Sequence, residues 1–174
     1  MELPGRILVV DDEAEMRETC RKILARKGHR VDAASDGAAA LETLRAEPFD
    51  LIIADLRMPG MDGIALLREV KKISPEVGFI VITAYGTIDT AVEAVREGAF
   101  DYLPKPFSMA QLEVTVERSL SYRRLLDENR ELQRRLRSAM QFEEIIASSP
   151  PMTAVLDVVR KVAPTDANVL VRGE

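Results

Sequence analysis

The first two-thirds of the chain alternate between short apolar runs and longer segments in which apolar residues recur at helical spacing. The run Leu51–Ala54 is partly β-branched and does not alternate with polar residues, as is typical of a parallel strand buried on both faces. Five strands are predicted, at Arg6–Val10, Arg30–Ala34, Leu51–Ala54, Gly78–Ile82 and Asp101–Leu103. Strict strand–helix alternation predicts an α/β fold, a doubly wound five-stranded parallel sheet that needs about 120 residues.

Capping and breaking residues mark the helices between these strands. Asp36 and Thr87 are predicted N-caps, and Ser108 with Gln111 has the form of a capping box. Gly28 and Gly98 are predicted to end helices. The predicted helices run from after Glu13 to about Lys27, over 37–46, from about Ile64 to Ile73, from Thr87 to Gly98, and onward from Ser108.

Polar groups follow four of the strands where each strand ends. Asp11 and Asp12 follow the first strand, Asp55 the third, Thr83 the fourth and Lys105 the fifth. In a parallel sheet these ends lie on one edge, where ligands bind in open α/β folds. Three neighbouring carboxylates repel one another unless a cation joins them, and an all-oxygen set suits Mg²⁺. The pattern therefore predicts phosphoryl transfer onto a carboxylate, with Asp55 as nucleophile and Lys105 neutralising charge.

Composition narrows the setting of this chemistry. No apolar run approaches the roughly 18 residues of a membrane span, and the N-terminus does not have the form of a signal peptide. The single cysteine, Cys20, rules out an internal disulfide and is predicted to be a core thiol. The net charge of −5 gives no general drive toward nucleic acid. We expect a cytoplasmic protein in which this chain binds neither nucleic acid nor membrane.

Four motifs give residues 1–122 a resemblance to a known family. They are VVDDE at the first strand, DLRMPGMDG around Asp55, ITAYG after the fourth strand and YLPKPF at the end. With these motifs the segment resembles the receiver domain of two-component response regulators, a CheY-like form of the flavodoxin-like fold. Such a domain is a regulatory phosphoacceptor rather than an enzyme, although it phosphorylates itself and slowly removes the phosphate.

The resemblance implies a role for each residue of the site. Asp55 would accept phosphate from a phosphohistidine on a sensor histidine kinase. Mg²⁺ would be the cofactor, with Asp12 as a direct ligand and Asp11 acting through water. Arg57, two residues after the phosphoacceptor, would supply its backbone carbonyl as a further ligand.

The resemblance also implies a switch. Thr83 would move toward the phosphoryl oxygens, and Tyr102 is the aromatic residue that would turn inward. The signal would leave through the face formed by the fourth helix, fifth strand and fifth helix. The peptide bond before Pro106 is cis in the family, which points Lys105 into the site.

Other readings of the same edge fit the residues less well. A flavodoxin needs a Ser-, Thr- or Gly-rich phosphate loop after the first strand, where this chain has acidic residues that would repel flavin phosphate. A haloacid-dehalogenase phosphatase needs a second Asp two residues after the nucleophile, and that residue is Arg57. His29, the only histidine, is predicted to lie in a surface turn rather than to act as a base.

The last helix has no stop signal near residue 122. Placing Tyr122 at heptad position a puts Asn129 and Leu136 at a and Leu125 and Leu132 at d. This spacing predicts a coiled-coil linker over 123–140 that continues the last receiver helix, and a parallel homodimer through residues 108–140. The alternative is a solvated helix with one narrow apolar stripe.

Residues 141–174 have a different pattern and a second resemblance. From residue 142 the segment resembles the beginning of the AAA+ ATPase domain of NtrC-type sigma-54-dependent activators, with a strand expected at 169–171. No G-x-x-x-x-G-K-[ST] motif is present, so we expect this chain neither to bind nor to hydrolyse ATP. The resemblance implies a parent protein with AAA+ and DNA-binding domains that acts on sigma-54 RNA polymerase. The alternative is a stand-alone receiver that serves as a phosphorelay or a protein-binding switch.

Overall fold

The computed structural model describes residues 4–84, 87–140, 149–165 and 169–170, without the side chains of residues 88 and 136–140. The chain divides into two compact units, residues 1–130 and 131–174. None of the described helices combines the length and the apolar character that crossing a membrane requires.

The first unit contains a five-stranded parallel sheet with strand order β2-β1-β3-β4-β5. The strands are β1 (Arg6–Val10), β2 (Arg30–Ala34), β3 (Leu51–Asp55), β4 (Gly78–Thr83) and β5 (Asp101–Pro104). Every residue of β3 is buried, as its uninterrupted apolar run predicts. The predicted doubly wound parallel sheet is therefore confirmed.

In the described part of the chain, four helices connect successive strands and two further helices follow β5. They are α1 (Ala14–Arg26), α2 (Gly37–Ala46), α3 (Gly63–Ile73), α4 (Ile88–Arg96), α5 (Met109–Met140) and α6 (Pro150–Val162). The Asp36 carboxylate accepts a hydrogen bond from the Ala39 N–H at 2.9 Å. Thr87 forms a capping box with Thr90. These caps confirm the predicted starts of α2 and α4.

The start of α5 and two helix ends were also predicted from single residues. The Ser108 N–H donates to the Gln111 side chain at 2.7 Å, and the Gln111 N–H donates to the Ser108 hydroxyl at 3.2 Å. Gly28 and Gly98 have φ values of 86° and 94°, which favour glycine directly after a helix. The Ser108 capping box and the two glycine stops are thus confirmed.

The sheet separates two apolar cores. One core packs α2 and α3 against the face that includes Leu8, Ile52 and Phe79. The other packs α1 and α5 against the face that includes Ile7, Ile53 and Ile80. Side chains alternate between the two faces along each strand, so every central strand packs side chains into both cores. Packing on both faces holds the strand ends, and the polar residues on them, in fixed positions.

Three expectations need correction. The third and fourth strands each extend one residue beyond the predicted bounds, to Asp55 and Thr83. Val169 and Leu170 lie in no strand, and residue 171 is outside the described part of the chain. His29 is not in a surface turn: only 8% of it is exposed, and its Nδ1 accepts the Gly5 N–H at 3.1 Å. Gly5, directly before β1, makes this contact with the ring, and a local pattern around residue 29 does not reveal it.

Candidate phosphoacceptor site

The ends of two neighbouring strands bring three acidic side chains together at one edge of the sheet. Asp11 and Asp12 directly follow β1, and Asp55 ends the neighbouring strand β3. One carboxylate oxygen from each of the three lies within 4.8 Å of the others. Asp11 is 2% exposed and Asp55 9% exposed, whereas Asp12 faces solvent. The cluster is therefore open to solvent on the Asp12 side.

Lys105 spans two of these carboxylates. Its Nζ lies 2.9 Å from Asp11 Oδ2 and 2.5 Å from Asp55 Oδ2. Burial by itself would lower the pKa of Lys105, but hydrogen bonds to the Asp55 and Asp11 carboxylates outweigh it and hold that pKa above its ordinary value. The ammonium is charged. It lies beside Asp55, where it would offset the negative charge of an anionic group bound to that carboxylate. The peptide bond between Lys105 and Pro106 is cis.

Backbone groups hold the carboxylates in position. The Arg57 N–H donates to Asp55 Oδ1 at 3.0 Å, and the Glu13 N–H donates to Asp11 Oδ1 at 2.9 Å. Each bond fixes one oxygen and leaves the second oxygen of that carboxylate directed at Lys105. The orientation of both acids is thus set by the turn that follows each strand.

Two further residues support this edge through contacts that the sequence does not predict. Arg17, in the first turns of α1, donates from Nη1 to the carbonyl oxygens of Asp11 at 2.6 Å and Asp12 at 3.0 Å. Gly63 begins α3, and its N–H donates to the Leu56 carbonyl at 2.8 Å. A Cβ at position 63 would lie 2.4 Å from the Asp55 carbonyl oxygen. Arg17 lies in the first turn of α1, directly after the acidic pair, and this position is the local signal for it.

The donor set fits Mg²⁺. Asp11, Asp12 and Asp55 offer only carboxylate oxygens, which are hard ligands, and the exposed side of the cluster leaves room for the waters that Mg²⁺ retains. The fourth predicted ligand is the carbonyl of Arg57. Arg57 lies in the turn after β3, and its own N–H already donates to Asp55. Within the described part of the chain, no other group of three acidic, histidine or cysteine side chains has this spacing.

The two predicted switch residues lie on the last two strands. Thr83 ends β4 and is 1% exposed, and it pairs in register with Pro104 of β5. Tyr102 lies on β5 beside Val81 and packs against the core that contains α2 and α3. Its hydroxyl oxygen is buried and has no hydrogen-bond partner among the described residues. Residues 85–86, which complete the ITAYG motif, lie outside the described part of the chain.

Cys20 lies beneath the site and is the buried core thiol that the sequence predicts. It is fully buried, and its Sγ is 4.0 Å from the sulfur of Met16. Burial raises the pKa of the Cys20 thiol to about 11; the negative charge of Asp11 adds to the rise and Lys105 opposes it. Cys20 is therefore an uncharged packing residue at neutral pH.

The predicted linker residues within the described chain expose apolar surface. Tyr122, Leu125 and Leu132 are 54%, 64% and 58% exposed, and Asn129 is exposed. The side chain of Leu136 lies outside the described part of the chain. In α6, Met152, Val155 and Val158 also expose apolar side chains.

Comparisons with known proteins agree on one family, and the similarity to some relatives continues past the residues that the family profile matches. The profile of the response regulator receiver domain matches residues 7–117. The transcriptional regulatory protein ZraR of Klebsiella oxytoca is 41% identical over 168 residues, which are 97% of this chain and 37% of that protein. This chain therefore spans little more than a third of the length of the curated relatives it matches.

Solved structures give the same picture. A crystal structure of NtrX from Brucella abortus superimposes with a TM-score of 0.73 at 34% identity, covering 94% of this chain and 36% of that chain. The solution structure of a beryllofluoride-activated NtrC4 receiver domain dimer gives a TM-score of 0.66 at 35% identity, covering 68% of this chain and 98% of that chain.

Proposed function

Because this chain belongs to the response regulator receiver domain family, we propose that Asp55 accepts a phosphoryl group from a phosphohistidine of a sensor histidine kinase. The observation that supports this assignment is the convergence of Asp11, Asp12, Asp55 and the Lys105 ammonium on one sheet edge. The chain is a regulatory domain rather than an enzyme.

The transfer is a nucleophilic substitution at phosphorus. A carboxylate oxygen of Asp55 attacks, a P–O bond forms, and the P–N bond breaks. The electron pair of that bond goes to the imidazole nitrogen of the kinase, which takes up a proton from solvent. Water later hydrolyses the acyl phosphate and returns Asp55 to its carboxylate form, so the domain slowly removes its own phosphate.

The surrounding residues each have a separate task. Asp12, Asp55 and the Arg57 carbonyl would hold Mg²⁺, with Asp11 acting through water. When bound, the ion would neutralise charge that develops on the transferring phosphoryl group. Lys105 already contacts Asp55 Oδ2, and in the phosphorylated protein its ammonium would pair with a phosphoryl oxygen instead.

The output begins with Thr83 and Tyr102. A hydrogen bond from the Thr83 hydroxyl to the phosphoryl group would favour one packing of α4, β5 and α5 over another, with Tyr102 on the inside. Tyr102 is half-buried already, and its hydroxyl has no partner among the described residues, so a new arrangement of this face could supply one.

Beyond the receiver, we propose that residues 123–140 are a coiled-coil linker and residues 141–174 are the beginning of an AAA+ domain. A homodimer through residues 108–140 would cover the exposed side chains of Tyr122, Leu125 and Leu132. In the parent protein the switch would control the ATPase, and through it sigma-54 RNA polymerase and transcription. The similarity to ZraR and NtrX over almost the whole chain supports this role over that of a stand-alone receiver.

Intact-mass spectrometry after incubation with acetyl phosphate and Mg²⁺ tests the assignment. Wild-type protein should gain one phosphoryl group, Asp55→Asn should gain none, and a chelator should abolish the gain in wild-type protein. Asp62→Asn is the matched control, because it changes an acid in the same loop to a residue that also caps helices. Labelling of Asp55→Asn at the wild-type level would show that the phosphoacceptor is another residue.

A further inference from the structure

The last helix stays against the base of the sheet beyond residue 122, where the receiver is predicted to end. The base is the edge at which the strands begin, opposite the phosphoacceptor site. Arg123 Nη1 donates to the carbonyl oxygens of Phe49 at 2.8 Å and Asp50 at 3.0 Å, directly before β3. The same nitrogen lies 3.7 Å from Asp50 Oδ1, and Arg123 is only 25% exposed.

A second contact follows seven residues later. Arg130 forms an ion pair with Glu76, which lies just before β4. The guanidinium of Arg130 lowers the pKa of Glu76 below its usual range. A ring contact accompanies these two arginine contacts: the ring of Tyr122 in α5 packs on Phe100, directly before β5, with 5.7 Å between ring centroids. The compact unit that contains the sheet accordingly extends to Arg130.

We propose that Arg123 and Arg130 form a two-point clamp that makes residues 123–130 part of the receiver. The first two turns of the predicted linker would then move with the sheet rather than bend away from it at residue 122. The proposal does not depend on phosphorylation of Asp55, because both contacts exist at the opposite edge of the sheet.

The clamp is compatible with the predicted coiled coil. With Tyr122 at position a, both arginines occupy position b, which lies about 100° around the helix from a. Leu125, at position d, is 64% exposed and remains available to a second copy. One face of the helix would bind its own receiver while another face binds the partner helix.

Hydrogen exchange of the full chain, measured by mass spectrometry, tests the clamp. All variants carry Leu125→Glu/Leu132→Glu, so that a second copy does not protect the helix. Arg123→Gln/Arg130→Gln should raise exchange at residues 124–130 by about five- to tenfold and leave residues 109–120 unchanged. The matched control is Arg134→Gln/Arg135→Gln, which removes the same charge from the same helix, where both arginines pair with Glu131. It should leave residues 124–130 unchanged.

A charge swap tests whether the Glu76–Arg130 ion pair itself, rather than the residue types in the helix, slows hydrogen exchange. Arg130→Glu alone should raise exchange at residues 124–130, and Glu76→Arg/Arg130→Glu, which restores opposite charges, should bring exchange back to within about twofold of the unswapped parent. If the swapped variant does not fold, Glu76→Gln breaks the same ion pair from the receiver side by changing one half-exposed side chain, and it should raise exchange at residues 124–130. Equal rates in parent and clamp variants would overturn the proposal, as would a swapped variant that exchanges as fast as Arg130→Glu.

Discussion

The substitution Gly63→Ala should damage both the stability and the phosphoryl chemistry of the receiver. Gly63 is the first residue of α3, where the chain returns to the end of β3. A Cβ at this position would lie 2.4 Å from the Asp55 carbonyl oxygen and 2.9 Å from the Leu56 Cα. Both atoms belong to the backbone at the end of a central strand, so neither can move away without displacing Asp55.

The expected loss of stability is about 3 kcal/mol, the upper end of the range for overpacking, because the clash is with backbone. For a chain of this length that corresponds to a fall in Tm of roughly 6–12 °C. Phosphorylation from acetyl phosphate should slow by about tenfold or more, since a small displacement of a reacting carboxylate is costly in rate.

Gly37→Ala is a closely matched control. Gly37 is also the first residue of its helix and also follows an Asp N-cap, but the atoms nearest to a Cβ there would belong to the side chain of Met61 rather than to backbone. The Sδ and Cγ atoms of Met61 can move away by rotation of the side chain, whereas the backbone atoms beside Gly63 cannot, so the substitution should be milder and should leave phosphorylation unchanged. Urea unfolding with a fluorescence or circular dichroism readout compares the two. If both variants unfold at the same urea concentration, the close approach at Gly63 does not have the importance assigned to it.

Three further predictions follow from the same structure. The raised pKa of Cys20 means that its neutral thiol stabilises the fold fully below about pH 9 and that this contribution is lost as the pH rises toward about 11; Cys20→Ala should therefore lose less stability than wild type between pH 9 and 11 in urea titrations. The Thr83→Ala variant should still take up phosphate, but the environment of Tyr102 should not change. Wild-type-sized amide chemical-shift changes in this variant on adding beryllofluoride would contradict the role of Thr83 in the switch. Leu125→Glu/Leu132→Glu should sediment as a monomer, and a dimer would place the main interface on a receiver face.

The fold and the carboxylate cluster could be predicted because both depend on local patterns and on one general rule of topology. Apolar runs such as Leu51–Ala54 mark buried strands without any knowledge of their neighbours. Once the strands are parallel, their carboxyl ends share an edge, so Asp11 and Asp55 must be neighbours although 44 positions separate them in the sequence. The contact of Lys105 with both acids follows from the same rule.

The contacts that could not be predicted join segments whose relation depends on packing rather than topology. Arg123 and Asp50 are an example: Asp50 accepts the Arg6 N–H at 2.8 Å through one oxygen and lies beside the Arg123 guanidinium through the other. One acid therefore ties the start of β1 to the last helix, at the edge opposite Asp55. No periodicity marks an arginine that binds backbone carbonyls, because an exposed arginine on a polar helix has the same local sequence. The base of the sheet, where the receiver holds its last helix, is consequently a region in which local sequence patterns do not predict the contacts.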